Sequence, residues 1–302
     1  MSDYDEFALL SENAEEFGLP WSGTPAVERR SVEVAPGQRV SALVWGDRPA
    51  ELVLLHGGSQ NAHTWDTLAL AIDRPLVAVD LPGHGHSDWR DDKDYGPVTN
   101  AAAVAAAIRE LAPEARALVG MSLGGLTSCA LAARHPERVS RLALIDVTPG
   151  VDADKARAII NFVRGPEYFE SFEAILARTV EHNPTRSEAS LRRGVIHNAK
   201  PLPDGRWTWR YDRRWASPES ESSARPAEVQ FGGLWDDVSR IAAPLLLVRG
   251  SLSPVVDDAD VAEVLRRQPG ARVEVVEGAG HSVQGDRPLE LARILDEFAG
   301  SD

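Results

Sequence analysis

A serine between two glycines joins an apolar segment to an alanine-rich segment near the middle of this chain. Residues 117–120 are short and apolar, as expected for a buried strand, and residues 125–134 have high helix propensity. A serine on so sharp a strand-to-helix turn has strained backbone dihedrals. The turn closes only where the residues two positions away lack bulk, and Gly120 and Gly124 meet that requirement. The pattern predicts that Ser122 is a nucleophile.

The predicted helix after Ser122 points its amino terminus at the serine side chain. Free backbone N–H groups at that end of a helix stabilise negative charge. The N–H of Leu123, the residue after the serine, is therefore the expected first donor of an oxyanion hole. A serine hydroxyl also needs a base to remove its proton and a carboxylate to orient that base.

Four segments of the chain carry a family resemblance. Besides residues 118–125 around Ser122, they are residues 55–58 (Leu-His-Gly-Gly), 80–88 (Asp-Leu-Pro-Gly-His-Gly-His-Ser-Asp) and 278–281 (Gly-Ala-Gly-His). In order and spacing they resemble the α/β-hydrolase family, in its serine-nucleophile branch. The resemblance implies an α/β fold with a mostly parallel β-sheet flanked by helices and an inserted helical and aromatic cap. The alternation of predicted strands and helices also indicates a mostly parallel sheet covered on both faces.

The candidate base is His281. It follows the last predicted strand in a turn of small residues, which lets a loop bring the imidazole over the carboxyl edge of the sheet. The resemblance assigns the second oxyanion donor to the amide just after His-Gly, which is Gly58, with Ser59 as the near alternative. His56 itself is predicted to support the loop through hydrogen bonds.

The acid that orients His281 departs from the usual pattern. The family places an aspartate three residues beyond a glycine after the next-to-last strand, but this chain has Ser253 there. Asp146 and Asp257 are the alternatives, and the absence of any acid is a third. Neighbouring strands lie roughly 4.8 Å apart, so a carboxylate at the end of the strand after the nucleophile's would lie within about 10 Å of Ser122, with room for one imidazole between them. This geometry favours Asp146, whereas Asp257 fits the acidic start of a helix.

The composition of the chain limits the kinds of partner that it can bind. A net charge of −14 over 302 residues disfavours nucleic acid and anionic membranes, since both bind basic surfaces. We see no leader and no apolar run near the ~20 residues that span a bilayer, so the cytoplasm is the expected location. The single cysteine, Cys129, forms no internal disulfide.

One histidine pair raises the question of a metal ion. His84 and His86 are two residues apart, a spacing at which imidazoles can share one ion. No other cluster has the spacing of metal ligands, and the resembled family carries this loop for its shape. The sequence therefore predicts no metal and no other cofactor, with a small-molecule substrate as the partner.

The chain divides into four predicted regions. Residues 1–25 form an acidic N-terminal helical extension, 26–149 the first part of the core domain, 150–235 the cap insertion, and 236–302 the second part of the core. Apolar residues recur at helical spacing in the extension, namely Phe7, Leu10, Ala14 and Phe17. This stripe predicts packing on the chain's own domain, or else a homodimer contact or a contact with a lid.

The predicted cap begins with helical pieces at residues 153–164 and 168–180 and continues with a polar stretch. Four of the eight tryptophans of the chain fall in its second half. Aromatic side chains bury large areas and pair with apolar ligands. We therefore predict that Trp207, Trp209 and Trp215 contact substrate, with the alternative that they form the small core of the cap itself.

Together these features predict a serine hydrolase that acts through an acyl-enzyme. The expected substrate is a small to medium, apolar carboxylic ester or lactone. Carbon–carbon bond hydrolysis, thioester hydrolysis and cofactor-free haloperoxidase chemistry use the same residues and stay open, as does a lyase that forms no acyl intermediate. A ligand-binding member of the fold without catalysis is the alternative from a different class.

Overall fold

An eight-stranded β-sheet runs through the centre of the molecule in the computed structural model, which describes residues 4–214, 231 and 233–300. The described residues form eleven strands, eight in this sheet and three in a smaller one: β1 (Val27–Ala35), β2 (Gln38–Trp45), β3 (Leu52–Leu55), β4 (Leu76–Val79), β5 (Ala117–Met121), β6 (Leu142–Ile145), β7 (Tyr168–Phe169), β8 (Ala199–Pro201), β9 (Trp207–Trp209), β10 (Leu245–Gly250) and β11 (Arg272–Val276). The order in the main sheet is β1-β2-β4-β3-β5-β6-β10-β11. Only β2 runs antiparallel to its neighbours. The predicted α/β fold with a mostly parallel sheet is confirmed.

Helices cover both faces of this sheet. The described helices of the chain are α1 (Leu10–Glu16), α2 (Asp66–Ala71), α3 (Pro97–Leu111), α4 (Leu123–Arg134), α5 (Arg157–Val163), α6 (Phe172–Glu181), α7 (Glu188–Asn198), α8 (Leu234–Arg240), α9 (Asp258–Arg267), α10 (Val283–Asp286) and α11 (Pro288–Gly300). One hydrophobic core lies between the sheet and α3, α4 and α8. A second lies between the opposite face and α1, α2 and α11. None of the helices in the described part of the chain is long and apolar enough to cross a membrane.

Each central strand supplies side chains to both cores. On β3, Val53 and Leu55 belong to the first core, whereas Leu52 and Leu54 belong to the second. Successive side chains of a strand point to opposite faces, so a strand that is buried on both faces must be apolar at every position. This explains why the central strands read as continuous apolar runs in the sequence.

The parallel register aligns the carboxyl ends of four strands. Leu55 at the end of β3 pairs with Gly120, Met121 at the end of β5 pairs with Ile145, and Ile145 pairs with Val248 of β10. Ligand sites of open α/β sheets lie outside the carboxyl ends of the strands. The residues that follow these four strands are therefore gathered at one edge.

The strands β6 and β10 are neighbours in the sheet although about a hundred residues of chain separate them. We call the described residues 150–214 between them the inserted segment. It contains α5, α6, α7 and a small antiparallel sheet of order β7-β9-β8, around a core of its own. The predicted cap insertion at residues 150–235 includes this segment, and the division of the chain into four regions stays a prediction.

Helix α7 lies in the stretch that sequence analysis described only as polar. Its inward face carries Leu191 and Val195, but also the buried side chains of Arg193 and His197. Hydrophobic periodicity treats such side chains as solvent-facing, so the pattern gives no helical signal here. Their burial depends on partners from distant parts of the chain.

The N-terminal extension packs on the chain's own core. Leu10 of α1 is fully buried in the second core, and Phe7 packs against the same core. Asn13 accepts a hydrogen bond from Thr67 at 3.1 Å, which fixes α1 on α2. Of the predicted roles of the apolar stripe, this packing is the one that the structure describes, and a homodimer contact stays a prediction.

The close approach of α4 to β3 makes a direct stability prediction. A Cβ added at Gly124 would lie 2.4 Å from the carbonyl oxygen of Leu55 and 2.6 Å from that of His56. Because backbone atoms cannot swing away, we expect Gly124→Ala to lower the free energy of unfolding by about 1–3 kcal/mol. Gly194 of α7 is the matched control, since a Cβ there meets nothing within 4 Å.

The control should behave in the opposite way. An alanine in place of a helical glycine raises stability by roughly 0.5–1 kcal/mol. Urea denaturation of the two variants and the native protein measures both changes. Equal stability of Gly124→Ala and Gly194→Ala would contradict the close packing described for Gly124.

Candidate active site

Ser122 occupies a strained turn between β5 and α4. Its φ is 51° and its ψ is −120°, a conformation that side-chain-bearing residues rarely adopt. The Ser122 carbonyl accepts the first helical hydrogen bond, from Leu126 N–H at 3.0 Å, and its N–H donates to the Ile145 carbonyl at 3.3 Å. The predicted strand–serine–helix geometry is thus present, with the serine side chain at the wall of a cavity.

Two glycines permit this turn, as the sequence pattern requires. A Cβ at Gly120 would lie 2.4 Å from the Gly124 carbonyl oxygen and 2.5 Å from Ser128 Oγ. The Ser128 hydroxyl donates to that same carbonyl at 2.7 Å. The contacts leave no room for a side chain at either position of the turn.

The loop after β3 lies against the turn. A Cβ at Gly57 would lie 3.2 Å from Ser122 Cβ, and one at Gly58 would lie 4.0 Å from Leu123 Cβ. The backbones of these two segments therefore approach each other next to the serine. Gly58 lines the cavity, and Leu123 begins α4 beside it.

Two buried histidines hold this loop. His56 accepts a hydrogen bond at Nε2 from Leu81 N–H, at 2.9 Å, and its Nδ1 lies 2.7 Å from the Gly57 carbonyl oxygen. The N–H of Ser59 donates to His84 Nε2 at 3.1 Å. Burial lowers the pKa of His84 to about 3, so this ring is neutral and Nε2 accepts. His84, in the loop after β4, thus supports the loop after β3. The N–H of Ser59 is already used in this hydrogen bond to His84.

His281 and Asp146 are joined by a short hydrogen bond. Nδ1 of His281 lies 2.7 Å from Oδ2 of Asp146, whose carboxyl group is fully buried. The carboxylate orients the ring and leaves Nε2 facing the cavity that Ser122 also lines. No hydrogen bond joins Ser122 to His281 within the described ranges, and in catalytic sites this contact often tightens only around the substrate.

The Asp146 carboxylate accepts two further hydrogen bonds. Gly250 N–H donates to Oδ1 at 3.0 Å, and the Ser253 hydroxyl donates to Oδ2. Asp146 directly follows β6, and its φ of 51° means that its backbone is strained. Ser253, at the position where the resembled family has its acid, therefore contacts the carboxylate that faces the imidazole.

Asp257 lies elsewhere. Its side chain accepts from Asp260 N–H at 2.9 Å and caps α9, in a reciprocal capping box with Asp260. It also pairs with Lys155 Nζ at 3.0 Å. These contacts match the helix-start role that the sequence offered as the alternative for this residue.

The cavity beside Ser122 and His281 has a volume of about 350 Å³. Its walls combine the sheet edge with the inserted segment, which contributes the apolar side chains of Ile159, Phe162 and Trp209. Trp209 is only 4% exposed, since it packs on Phe162 and Phe169 with ring centroids 5.6 and 5.8 Å apart. It therefore belongs both to the core of the inserted segment and to the cavity wall.

The other two predicted tryptophans lie in different surroundings. Trp207 packs edge-on against Phe172, with centroids 5.3 Å apart, and does not line the cavity. Trp215 lies outside the described residues. Of the three, the structure brings Trp209 to the cavity.

The cavity wall also contains a group of polar side chains that the sequence patterns do not predict. Asn198 of α7 donates to the Ser59 carbonyl at 2.6 Å, and Asn61 donates to the His197 carbonyl at 3.1 Å. They connect the inserted segment to the loop that carries Gly58. No local pattern marks them, because each pair joins residues more than a hundred positions apart.

Comparison with known proteins agrees with this architecture. The model of the alpha/beta hydrolase family matches residues 52–294. The chain is 46% identical over 302 residues to the esterase Rv0045c of Mycobacterium tuberculosis, covering 98% of this chain and 96% of that protein. A crystal structure of that esterase superposes with a TM-score of 0.85 at 45% identity, covering 100% of both chains.

A second relative is the pimeloyl-(acyl-carrier protein) methyl ester esterase of Aeromonas hydrophila. It is 30% identical over 269 residues, which cover 86% of this chain and 99% of that protein. Together with the sheet order, these matches extend over the whole described core. The chain belongs to the alpha/beta hydrolase family, and it is an enzyme of the hydrolase class.

Proposed function

We propose that this hydrolase cleaves carboxylic esters through an acyl-enzyme, with Ser122 as nucleophile, His281 as base and Asp146 as acid. The observation that carries the proposal is the His281–Asp146 hydrogen bond at the wall of the cavity that Ser122 lines. Two relatives that cover most of this chain are named as esterases, which supports ester bonds as the target.

The chemistry follows from these positions. Nε2 of His281 accepts the proton of the Ser122 hydroxyl as the oxygen attacks the acyl carbon, and later gives it to the leaving alcohol. The same imidazole then activates a water that releases the acid. The buried Asp146 carboxylate stabilises the imidazolium that forms in each step, without itself taking the proton.

The amides of Gly58 and Leu123 are the proposed oxyanion donors. A Cβ at Gly58 would lie 4.0 Å from Cβ of Leu123, the residue after Ser122, and the amide of Ser59, the alternative, already donates to His84. An oxyanion donor contributes roughly 10²- to 10³-fold to turnover. The helix α4, which begins at Leu123, adds the positive end of its dipole at the same point.

The cavity suggests the class of substrate. A volume of about 350 Å³ with Ile159, Phe162 and Trp209 in the walls fits a small to medium acyl chain of apolar character. Lactones and thioesters of similar size would react by the same steps. Measuring kcat/KM for a panel of such compounds ranks them as substrates. The single cysteine, buried Cys129, suits a reducing compartment, and we propose the cytoplasm as the site of action.

The proposed roles of Ser122, His281 and Asp146 predict the labelling rates of three variants. A fluorophosphonate should add once to the native protein, as measured by intact mass, and should not add to Ser122→Ala. Asp146→Asn should slow labelling by about 10⁴-fold, because the imidazole loses the charge that stabilises its protonated form. Asp257→Asn, the matched control, keeps the cap of α9 and should label at the native rate.

Two results would reject the assignment. Labelling of Ser122→Ala at the native rate would remove Ser122 from the mechanism. A large loss in Asp257→Asn, with Asp146→Asn unaffected, would transfer the role of acid to Asp257.

The Ser253–Asp146 contact predicts a rescue. Since the Ser253 hydroxyl reaches the same carboxylate oxygen as His281, an aspartate at position 253 should reach the imidazole when residue 146 carries no charge. The double variant Asp146→Asn with Ser253→Asp should therefore label at least about tenfold faster than Asp146→Asn alone, a gain of about 1.4 kcal/mol. Ser251→Asp in the same background is the control, because Ser251 Oγ accepts from Gly278 N–H and does not bond to Asp146. Equal rates in both double variants would contradict the rescue.

The cavity rim predicts an effect of acyl length. Leu252 lines the cavity yet is 63% exposed, so Leu252→Ala should leave the fold intact. Loss of its contact with a hexanoyl chain, at about 0.8 kcal/mol per methylene covered, should raise KM roughly 5- to 20-fold with kcat unchanged. The KM for acetate esters should not change.

Leu289→Ala is the matched control for Leu252→Ala, since Leu289 is exposed on α11 and does not line the cavity. Steady-state kinetics measure KM and kcat of both variants for acetate and hexanoate esters. An identical rise in KM for acetate and hexanoate esters would show that Leu252 does not contact the acyl chain.

A further inference from the structure

Three buried side chains with metal-ligating atoms meet behind the cavity. His63 lies on the 3₁₀ turn Ala62–Trp65, Asp66 begins α2, and His197 lies near the end of α7. One ligand atom of each lies within 4.8 Å of the others, and all three residues are buried. They also line the cavity that contains Ser122 and His281. Neither the proposed hydrolysis nor the packing of the cores uses this cluster.

The cluster contains unpartnered polar atoms. Oδ2 of Asp66 lies 2.9 Å from His63 Nδ1 and 3.9 Å from His197 Nε2. Oδ1 of Asp66 and Nε2 of His197 have no hydrogen-bond partner in the described structure. A buried donor or acceptor without a partner costs about 1–3 kcal/mol, so native proteins seldom leave two side by side.

The outer nitrogens of both imidazoles are held by oxygen atoms. Nε2 of His63 lies 3.2 Å from Glu6 Oε2, and Nδ1 of His197 lies 2.6 Å from Tyr4 Oη. An imidazole that binds a metal donates its other N–H to an oxygen, which fixes the tautomer and directs the free lone pair to the ion. The N-terminal extension supplies that outer partner to both rings.

Charged side chains of both signs surround the cluster. Arg29 pairs with Glu6 at 2.7 Å and with Asp80 at 2.6 Å. Asp66 adds a third carboxylate, and Arg193 and Arg210 add positive charge that acts on His197. Although burial acts to lower it, Asp66 and Glu6 raise the pKa of His63 to about 9, so an ion bound at this ring displaces a proton.

We propose that His63, Asp66 and His197 form a binding site for one divalent transition-metal ion such as Zn²⁺ or Co²⁺. Two imidazole nitrogens and one carboxylate oxygen suit these ions, whereas Mg²⁺ and Ca²⁺ prefer all-oxygen ligands. The fourth position faces the cavity and accepts a water. The rings of His63 and His197 stack with centroids 3.8 Å apart and 9° between planes, so one ring tilts on binding to bring both lone pairs to the ion.

The proposed ion would cross-link two parts of the chain. His63 and Asp66 belong to the core, whereas His197 belongs to the inserted segment. Asn198, the next residue, donates to the carbonyl of Ser59 in the loop that carries Gly58. Binding should therefore fix the inserted segment against the core and raise the thermal stability of the whole chain.

The sequence predicts no metal site because these ligands share no local motif. His63 and Asp66 are three residues apart, but His197 lies far along the chain. His84, one of the two histidines that the sequence did single out, uses both ring nitrogens in hydrogen bonds to its own and the neighbouring loop.

The test measures binding directly and does not depend on ester hydrolysis. The native protein is titrated with Co²⁺, with the visible absorption of the bound ion and the heat of binding as readouts. We expect one ion per chain, displacement by Zn²⁺, and a rise in Tm. His197→Gln and Asp66→Asn should each weaken binding by at least about tenfold.

Two further variants separate a metal site from a structural polar cluster. Tyr4→Phe leaves all three ligands in place and removes only the outer partner of His197, so it should weaken binding by about 10- to 100-fold. His182→Gln is the matched control, since His182 also lines the cavity from the inserted segment but lies outside the cluster. It should bind Co²⁺ as the native protein does, and so should His281→Gln.

Three outcomes would overturn the proposal. They are the absence of saturable binding by the native protein, native affinity in His197→Gln and Asp66→Asn, and loss of binding in His281→Gln alone, which would place the ion at the proposed base. Circular dichroism checks the fold of each variant. If His197→Gln does not fold, Asp66→Asn, which is equal in size, decides the result.

Discussion

The backbone conformation of Ser122 is the constraint on which the rest of the site depends. A residue with a side chain at a φ of 51° costs about 1–3 kcal/mol, and it persists only where its surroundings hold it. Here the turn is held by contacts of Gly120 and Gly124 that leave no space for a Cβ, and by the hydrogen bond from Leu126 that starts α4. The central strand β5 thus delivers the serine to the one edge of the sheet where neighbouring strands also end.

The same edge explains the position of the proposed acid. Asp146 follows β6 directly, and its neighbour β10 supplies the amide of Gly250 and, a few residues later, the hydroxyl of Ser253. A carboxylate at position 146 and a carboxylate at position 253 would reach the same imidazole nitrogen of His281. The chain keeps the charge on one strand and a neutral donor on the next, which avoids two like charges in a buried site.

Buried polar contacts join the N-terminal extension, the inserted segment and the core. Arg193 of α7 donates to Asn13 of α1 at 3.0 Å and pairs with Glu16, while Tyr4 contacts His197. The apolar stripe that includes Leu10 predicts the helix of the extension, whereas the residues of α7 form only a polar stretch in the sequence. Periodicity detects helices through apolar side chains, and on α7 part of the buried face is charged or polar.

The sequence by itself determined the α/β sheet, the turn around Ser122, and the role of His56 in supporting the loop after β3. Each depends on local features: apolar runs of strand length, glycines where backbones touch, and a fixed order of short motifs. The sequence also favoured Asp146 over Asp257 as the partner of His281. The tertiary structure alone decided that Ser253 shares the Asp146 carboxylate with His281, that Trp209 rather than Trp207 lines the cavity, and that His63, Asp66 and His197 meet. These facts depend on strand register and on contacts between residues far apart in the chain, which no local pattern encodes.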